Sequence, residues 1–143
     1  MDDRTERRIL EKVQYVSEAV GVLADVRDDT TFEEYRSDRL TRDVVEREFL
    51  TAIQACIDVG SMLLAAADAD IPEQNADVFR ALGERDILDD DATERMIRAA
   101  GFRNVLAHQY GTDVDDEDVF EALQTELDAF SEFLGQIRSE LSE

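Results

Sequence analysis

Apolar residues recur along the chain at helical spacing. Ile9, Val13, Val16, Val20 and Leu23 are separated by steps of four, three, four and three, which puts them on one stripe. This predicts a helix from near Arg4 to near Val26. The stretch DVRDDTTFEEYRSDR breaks the period and reads as a connection. A second stripe, through Val45, Phe49, Ile53, Cys56, Gly60 and Leu63, predicts a helix from Thr41, its N-cap, to about Ala67. DADIPEQN, which holds the only proline, Pro72, reads as a loop. Asn75 then caps a short helix carrying Val78, Phe79 and Leu82, and Gly83 closes it.

A further helix begins at the acidic cluster DDDATE, because carboxylates suit the positive end of the helix dipole. It carries Met96, Ile97, Ala100 and Val105 and stops at Gly111. Its apolar residues, which also include Ala99, Phe102, Leu106 and Ala107, fill more than one stripe. Such a helix is central in a bundle or shared with a second chain. After TDVDDEDV, a last helix steps regularly from Phe120 through Leu123, Leu127, Phe130, Leu134 and Ile137 to Leu141. No strand-like alternation and no internal repeat is present. The pattern predicts an all-α antiparallel helical bundle, one domain over residues 1–143.

Composition changes this picture in two ways. With 43% hydrophobic residues in 143, the chain can bury a core despite its charge. No uninterrupted apolar run reaches about 18 residues, and the start, MDDRTERRIL, has no apolar segment, which predicts a soluble cytoplasmic protein. Cys56, the single cysteine, lies in the apolar run AIQACIDVG and reads as a small buried hydrophobe. The net charge is −21, and Lys12 is the only lysine among 15 basic residues. Aspartate outnumbers glutamate, and the acids spread over the whole chain. That composition suggests a surface adapted to molar salt, as in halophilic archaea; the alternative is an ordinary acidic protein that avoids nucleic acid. At about 1 M salt the Debye length is about 3 Å and self-repulsion is screened.

The chemistry that such a chain could carry is restricted. DVDDEDVFEALQ and DILDDDATERMI lack the glycine and closing glutamate of a calcium loop and read as helix caps. One cysteine and one histidine do not make a zinc site. No glycine-rich phosphate loop and no GxSxG elbow occurs. Asp58, an acid in a mostly apolar helix, reads as a structural residue, either a partner for an arginine or facing water.

What remains is GFRNVLAHQYG, Gly101 to Gly111, with the only histidine. Arg103 offers a permanent planar cation suited to phosphate. His108 is of the residue type whose ordinary pKa lies nearest neutrality, so it can accept and donate protons. Tyr110 offers a hydroxyl that can bind phosphate or be modified. Together they are tools for cleaving RNA without a metal: imidazole takes the 2′-hydroxyl proton and guanidinium steadies charge at phosphorus. At about 100° per residue, Arg103 and Tyr110 share a helix face while His108 lies about 140° round from Arg103. Either the last turn is distorted or the site is assembled from two chains, which would also supply a second imidazole.

RNVLAHQY matches the R-x4-H-x-Y signature of the HepT toxins in the HEPN superfamily of helical ribonucleases. ERRILEKVQYVSEAVGVL, VVEREFLTAIQACIDVGSMLLA and FRALGERDIL also resemble that family in the same order, so the likeness covers nearly the whole chain. The resemblance implies a HEPN-like bundle of about five helices that pairs as a homodimer around a shared cleft. It implies an endoribonuclease toxin needing no metal and no cofactor, with Arg103 and His108 catalytic and Asn104 supporting the arginine. It further implies a partner antitoxin, an MntA-like nucleotidyltransferase, that transfers AMP to Tyr110 and so keeps RNA out of the cleft. The alternative is a non-enzymatic helical binding module that such a transferase binds and modifies. Arg95, Arg98 and Arg103 form a locally basic segment for RNA, and at high salt that binding is expected to be weak and short-range.

Overall fold

The computed structural model describes residues 1–109 and 114–142, and its regular elements are helices joined by short connections. Its elements are α1 (Asp3–Asp29), α2 (Phe32–Ser37), α3 (Arg39–Ala66), α4 (Asn75–Glu84), α5 (Asp90–Gln109), α6 (Asp116–Thr125) and α7 (Leu127–Leu141). Among the described residues there is no strand. The all-α class expected from the apolar stripes holds. Among the described residues the helices number seven, against about five expected, and each extra one has a local cause.

α2 sits inside the stretch read as a connection. Thr31 and Glu34 form a capping box: the Thr31 hydroxyl accepts from the Glu34 backbone N–H, and the Glu34 carboxylate accepts from the Thr31 backbone N–H. Tyr35 anchors the segment, fully buried, with its ring 5.5 Å from Phe120 of α6. Six residues are too few to show a hydrophobic period.

The second extra helix comes from a break in the predicted last helix, at Glu126. There the Thr125 hydroxyl donates back to the Glu121 carbonyl at 3.0 Å, a contact that bends helices. Arg95 donates to the Thr125 carbonyl at 3.4 Å, giving it a partner across the break. Leu123, Leu127, Phe130, Leu134 and Ile137 stay buried on both sides. The apolar stripe therefore passes straight through the break.

Several boundaries also shift. Asp38, not Thr41, caps α3, accepting from the Leu40 backbone N–H at 3.1 Å and the Thr41 hydroxyl at 2.9 Å. Asn75 is already helical and Gln74, without a side-chain bond, precedes it. Gly83 lies within α4, not beyond its end, and its role is packing. Asp89 and Asp115 do cap α5 and α6, accepting from the backbone N–H groups of Ala92 and Glu117.

α3 is the central helix, packed against α1, α4 and α5, while α7 closes over α1 and α5. An 18-residue window of α3 has mean hydropathy 1.7, and 56% of that window is buried inside the bundle, so its apolar content is that of a core helix. Cys56 is fully buried there, and burial pushes its thiol well above the ordinary range.

Candidate functional site

α5 carries the RNVLAHQ segment, and its rotation about its own axis is fixed by packing. Ala92, Met96, Ala100 and Leu106 are buried, and the Phe102 ring meets Phe49 of α3 edge-on with centroids 5.3 Å apart. With Phe102 turned into that contact, Arg103 faces the neighbouring polar edge of α3. There the Arg103 Nε–H donates to Gln54 Oε1 at 3.1 Å, and Nη1 donates to Asn104 Oδ1 at 3.4 Å. Asn104 thus contacts the arginine it was expected to support.

Gln54 is not isolated. Its Nε2 donates to Asp58 Oδ1 at 3.0 Å, and Lys12 of α1 lies 3.5 Å from Asp58 Oδ2. A polar chain therefore runs Arg103–Gln54–Asp58–Lys12 across three helices. Asp58, expected to pair with an arginine or to face water, meets the lone lysine instead. Lys12, Gln54 and Asp58 also line a groove between α1 and α3, together with Arg8 and Tyr15. The Tyr15 hydroxyl donates to the Thr51 hydroxyl oxygen at 2.8 Å on the same wall.

His108 is exposed near the C-terminal end of α5. α5 stays helical through Gln109, so no distortion before that point turns His108 toward Arg103. Within one chain the two side chains point in different directions, as their spacing demands. His108 instead shares a stripe with Ile97, Gly101 and Val105. Gly101 and Val105 are exposed, and a Cβ on Gly101 would meet nothing within 4 Å. Tyr110 and Gly111, expected to be the modification point and the helix stop, lie outside the described residues.

The basic segment expected for RNA is only partly available. Arg95 is 15% exposed and lies 2.6 Å from Asp128, 3.3 Å from Glu126 and 3.3 Å from Glu132. It clamps α5 to the α6–α7 break and is neutralised three times over. Arg98 is exposed at the rim of a cavity of about 240 Å³ floored by Phe49, Phe102 and Phe130. Arg103 is the arginine of the three whose described partners are amide oxygens and not carboxylates.

Gln54 and Lys12 were not foreseen as site residues. A signal existed: in AIQACIDVG, Gln54 and Asp58 are polar residues four apart in an otherwise apolar stretch.

Comparison with known proteins bears on the fold and the family. A 132-residue alignment with the mRNA nuclease HepT of Shewanella oneidensis is 21% identical and covers 92% of this chain and 97% of the relative. A solved structure of a tri-AMPylated Shewanella oneidensis HEPN toxin in complex with an MNT antitoxin has TM-score 0.84 and 21% identity over 97% of this chain and 99% of that one. A crystal structure of a toxin–antitoxin with AMP-PNP has TM-score 0.85 and 20% identity over 93% and 98% of the two chains. At that identity the structures establish a shared fold. The family described as ribonuclease HepT-like matches residues 3–137, nearly the whole chain, and the protein belongs to that family.

Proposed function

We propose that this protein is a metal-independent endoribonuclease toxin, acting as a homodimer and silenced by AMPylation of Tyr110 by an MntA-like nucleotidyltransferase antitoxin. The observation that carries the reading is Arg103, held by an amide oxygen while its outer guanidinium edge faces away from Gln54. In a chain of net charge −21 this is a cation kept clear of described carboxylates. Family membership and the names of the relatives support the same reading.

The chemistry follows from the residue types. A His108 imidazole takes the proton of a ribose 2′-hydroxyl, whose oxygen attacks the adjacent phosphorus. The bond from phosphorus to the 5′-oxygen breaks, and that oxygen leaves with a proton from a second, protonated imidazole. A 2′,3′-cyclic phosphate and a 5′-hydroxyl end result. Arg103 stabilises the charge gathering on the non-bridging oxygens. Asn104 holds Nη1 in place. One chain has one histidine, so the acid and the base come from two chains. The stripe of half-buried Ile97 and exposed Gly101, Val105 and His108 supports pairing there. AMP on Tyr110 would bring a phosphate close in sequence to Arg103 and compete for the substrate's place.

The test is cleavage of a single-stranded RNA in the presence of EDTA, with product ends identified. Cyclic-phosphate ends and a loss of roughly 100-fold or more in His108→Ala are expected. Undiminished cleavage by His108→Ala would remove the assignment. Co-expression with an MntA-like nucleotidyltransferase should add AMP-sized mass that Tyr110→Phe does not acquire. A chain that takes AMP yet cleaves no RNA would instead be a non-enzymatic binding module.

A further inference from the structure

We infer that Gln54 is the positioning residue of the site: it sets the orientation of the Arg103 guanidinium through a polar chain that ends at Lys12. This rests on the reading of Arg103 as the phosphate-binding group and names what holds it there.

The direction of each hydrogen bond in the chain is fixed by chemistry. Arginine only donates, so the Gln54 atom 3.1 Å from Nε is the amide oxygen. The Asp58 carboxylate only accepts, so the atom 3.0 Å from Oδ1 is the amide nitrogen. The Gln54 amide thus has one orientation that satisfies both neighbours. A hydrocarbon side chain at position 54 satisfies neither.

Two consequences follow for Arg103. Its Nε–H is occupied and Nη1 is steadied by Asn104, so the guanidinium plane is held and Nη2, which has no partner among the described residues, is left for a phosphate. The Asp58 charge at the far side of the amide polarises it and strengthens the acceptor that Arg103 uses. The same charge would repel a nearby RNA phosphate. Lys12, 3.5 Å from Asp58, offsets it. That assigns a place to the chain's only lysine: Gln54 governs orientation, and Lys12 governs the local charge that approaching RNA meets.

Substitutions separate the two roles. Gln54→Met keeps length and removes both polar ends. It should lower kcat by roughly 10- to 100-fold, the cost of a misplaced phosphate clamp, with unchanged thermal stability. The pair Gln54→Glu with Asp58→Asn restores an acceptor for Arg103 and a donor for position 54 but sets a carboxylate on the guanidinium, so it should restore the hold on Arg103 Nε–H and leave cleavage impaired. Lys12→Met should raise KM and leave kcat near wild type. Nitrogen-15 spectra give a readout without RNA. The Arg103 Nε–H signal, assigned by its loss in Arg103→Lys, should be protected from solvent exchange in the wild type and lose protection in Gln54→Met. A protected Nε–H in Gln54→Met, or a kcat unchanged by it in an active enzyme, overturns the proposal. A wild type that cleaves no RNA defeats the ribonuclease reading instead, and the exchange measurement still decides whether Gln54 holds Arg103.

Discussion

Gly83 and Thr93 meet with no room for a methyl group between them: a Cβ on Gly83 would stand 2.6 Å from Thr93 Oγ1 and 3.0 Å from Cγ2. Thr93 cannot simply turn away, because its hydroxyl donates to the Asp89 carbonyl at 2.7 Å at the start of α5. Gly83→Ala should therefore lower stability by about 1–3 kcal/mol, the usual cost of overpacking. Thr93→Ala in the same chain should return most of it. Urea titrations of the single and double variants measure the coupling, and additive effects would contradict a direct clash.

That contact shows where sequence reasoning stops. Gly83 was legible as a helix-associated glycine, but the local rule gives a terminus, whereas tertiary packing uses it for close approach to α5. Stripes such as Ile9 to Leu23 fixed helix identity because burial repeats every turn. The α6–α7 break left no trace because Leu123 and Leu127 are buried across it. At the site, the residue types of Arg103, Asn104 and His108 were readable in order. Gln54 was not, since its partnership with Arg103 spans 49 positions and exists only once α3 and α5 are packed.

The seam between α5 and α7 should have a distinct acid response. The hydrogen bond from Arg95 holds the Asp128 carboxyl below the usual carboxylate range. A carboxyl depressed in the folded state stabilises at pH above its unfolded value, about 3.9, and ceases to as pH falls through the lower folded value. Glu132 has the opposite sign: its hydrogen bond with Asp91 raises it, so it favours the folded state when protonated. Asp128 is 76% exposed, so Asp128→Asn should cost no more than about 1 kcal/mol at neutral pH. The deficit should shrink as pH falls below about 3.9 and be absent in an Arg95→Met background. Urea midpoints at neutral and acid pH check it.

Cys56 should be inert in the folded protein. It is fully buried and burial raises its thiol, so little thiolate forms and no reagent reaches it. Alkylation by iodoacetamide at pH 8 should be at least about 1000-fold slower in native buffer than in denaturing urea, reflecting roughly 4 kcal/mol or more of opening free energy. Rapid native labelling would mean that α3 opens locally.

The net charge of −21 makes self-repulsion a specific expectation. Raising KCl from about 0.1 M to about 2 M shortens the Debye length to a few Å and should raise Tm progressively. Sucrose at matched osmolality should do less, since it leaves charge repulsion unscreened. Equal effects of the two would show that burial, not charge, responds to the solute.

Pairing through α5 gives the final prediction. Val105 is 43% exposed and lies one turn from Gly101, whose Cβ position opens to free space. In an isolated chain Val105→Asp touches no core residue, so its effect on folding should stay within about 0.5 kcal/mol. In a dimer that pairs this stripe, two such aspartates approach each other across the two-fold axis and also face the acids of both chains. The 16.2 kDa chain should then run as a monomer by light scattering, whereas the wild type should run at twice that mass. RNA cleavage should fall with the dimer, because His108 loses its counterpart while Arg103 and Gln54 keep their contact. A Val105→Asp protein that is monomeric and fully active would place acid and base within one chain, and the separation of Arg103 and His108 around α5 would then require a different second proton donor.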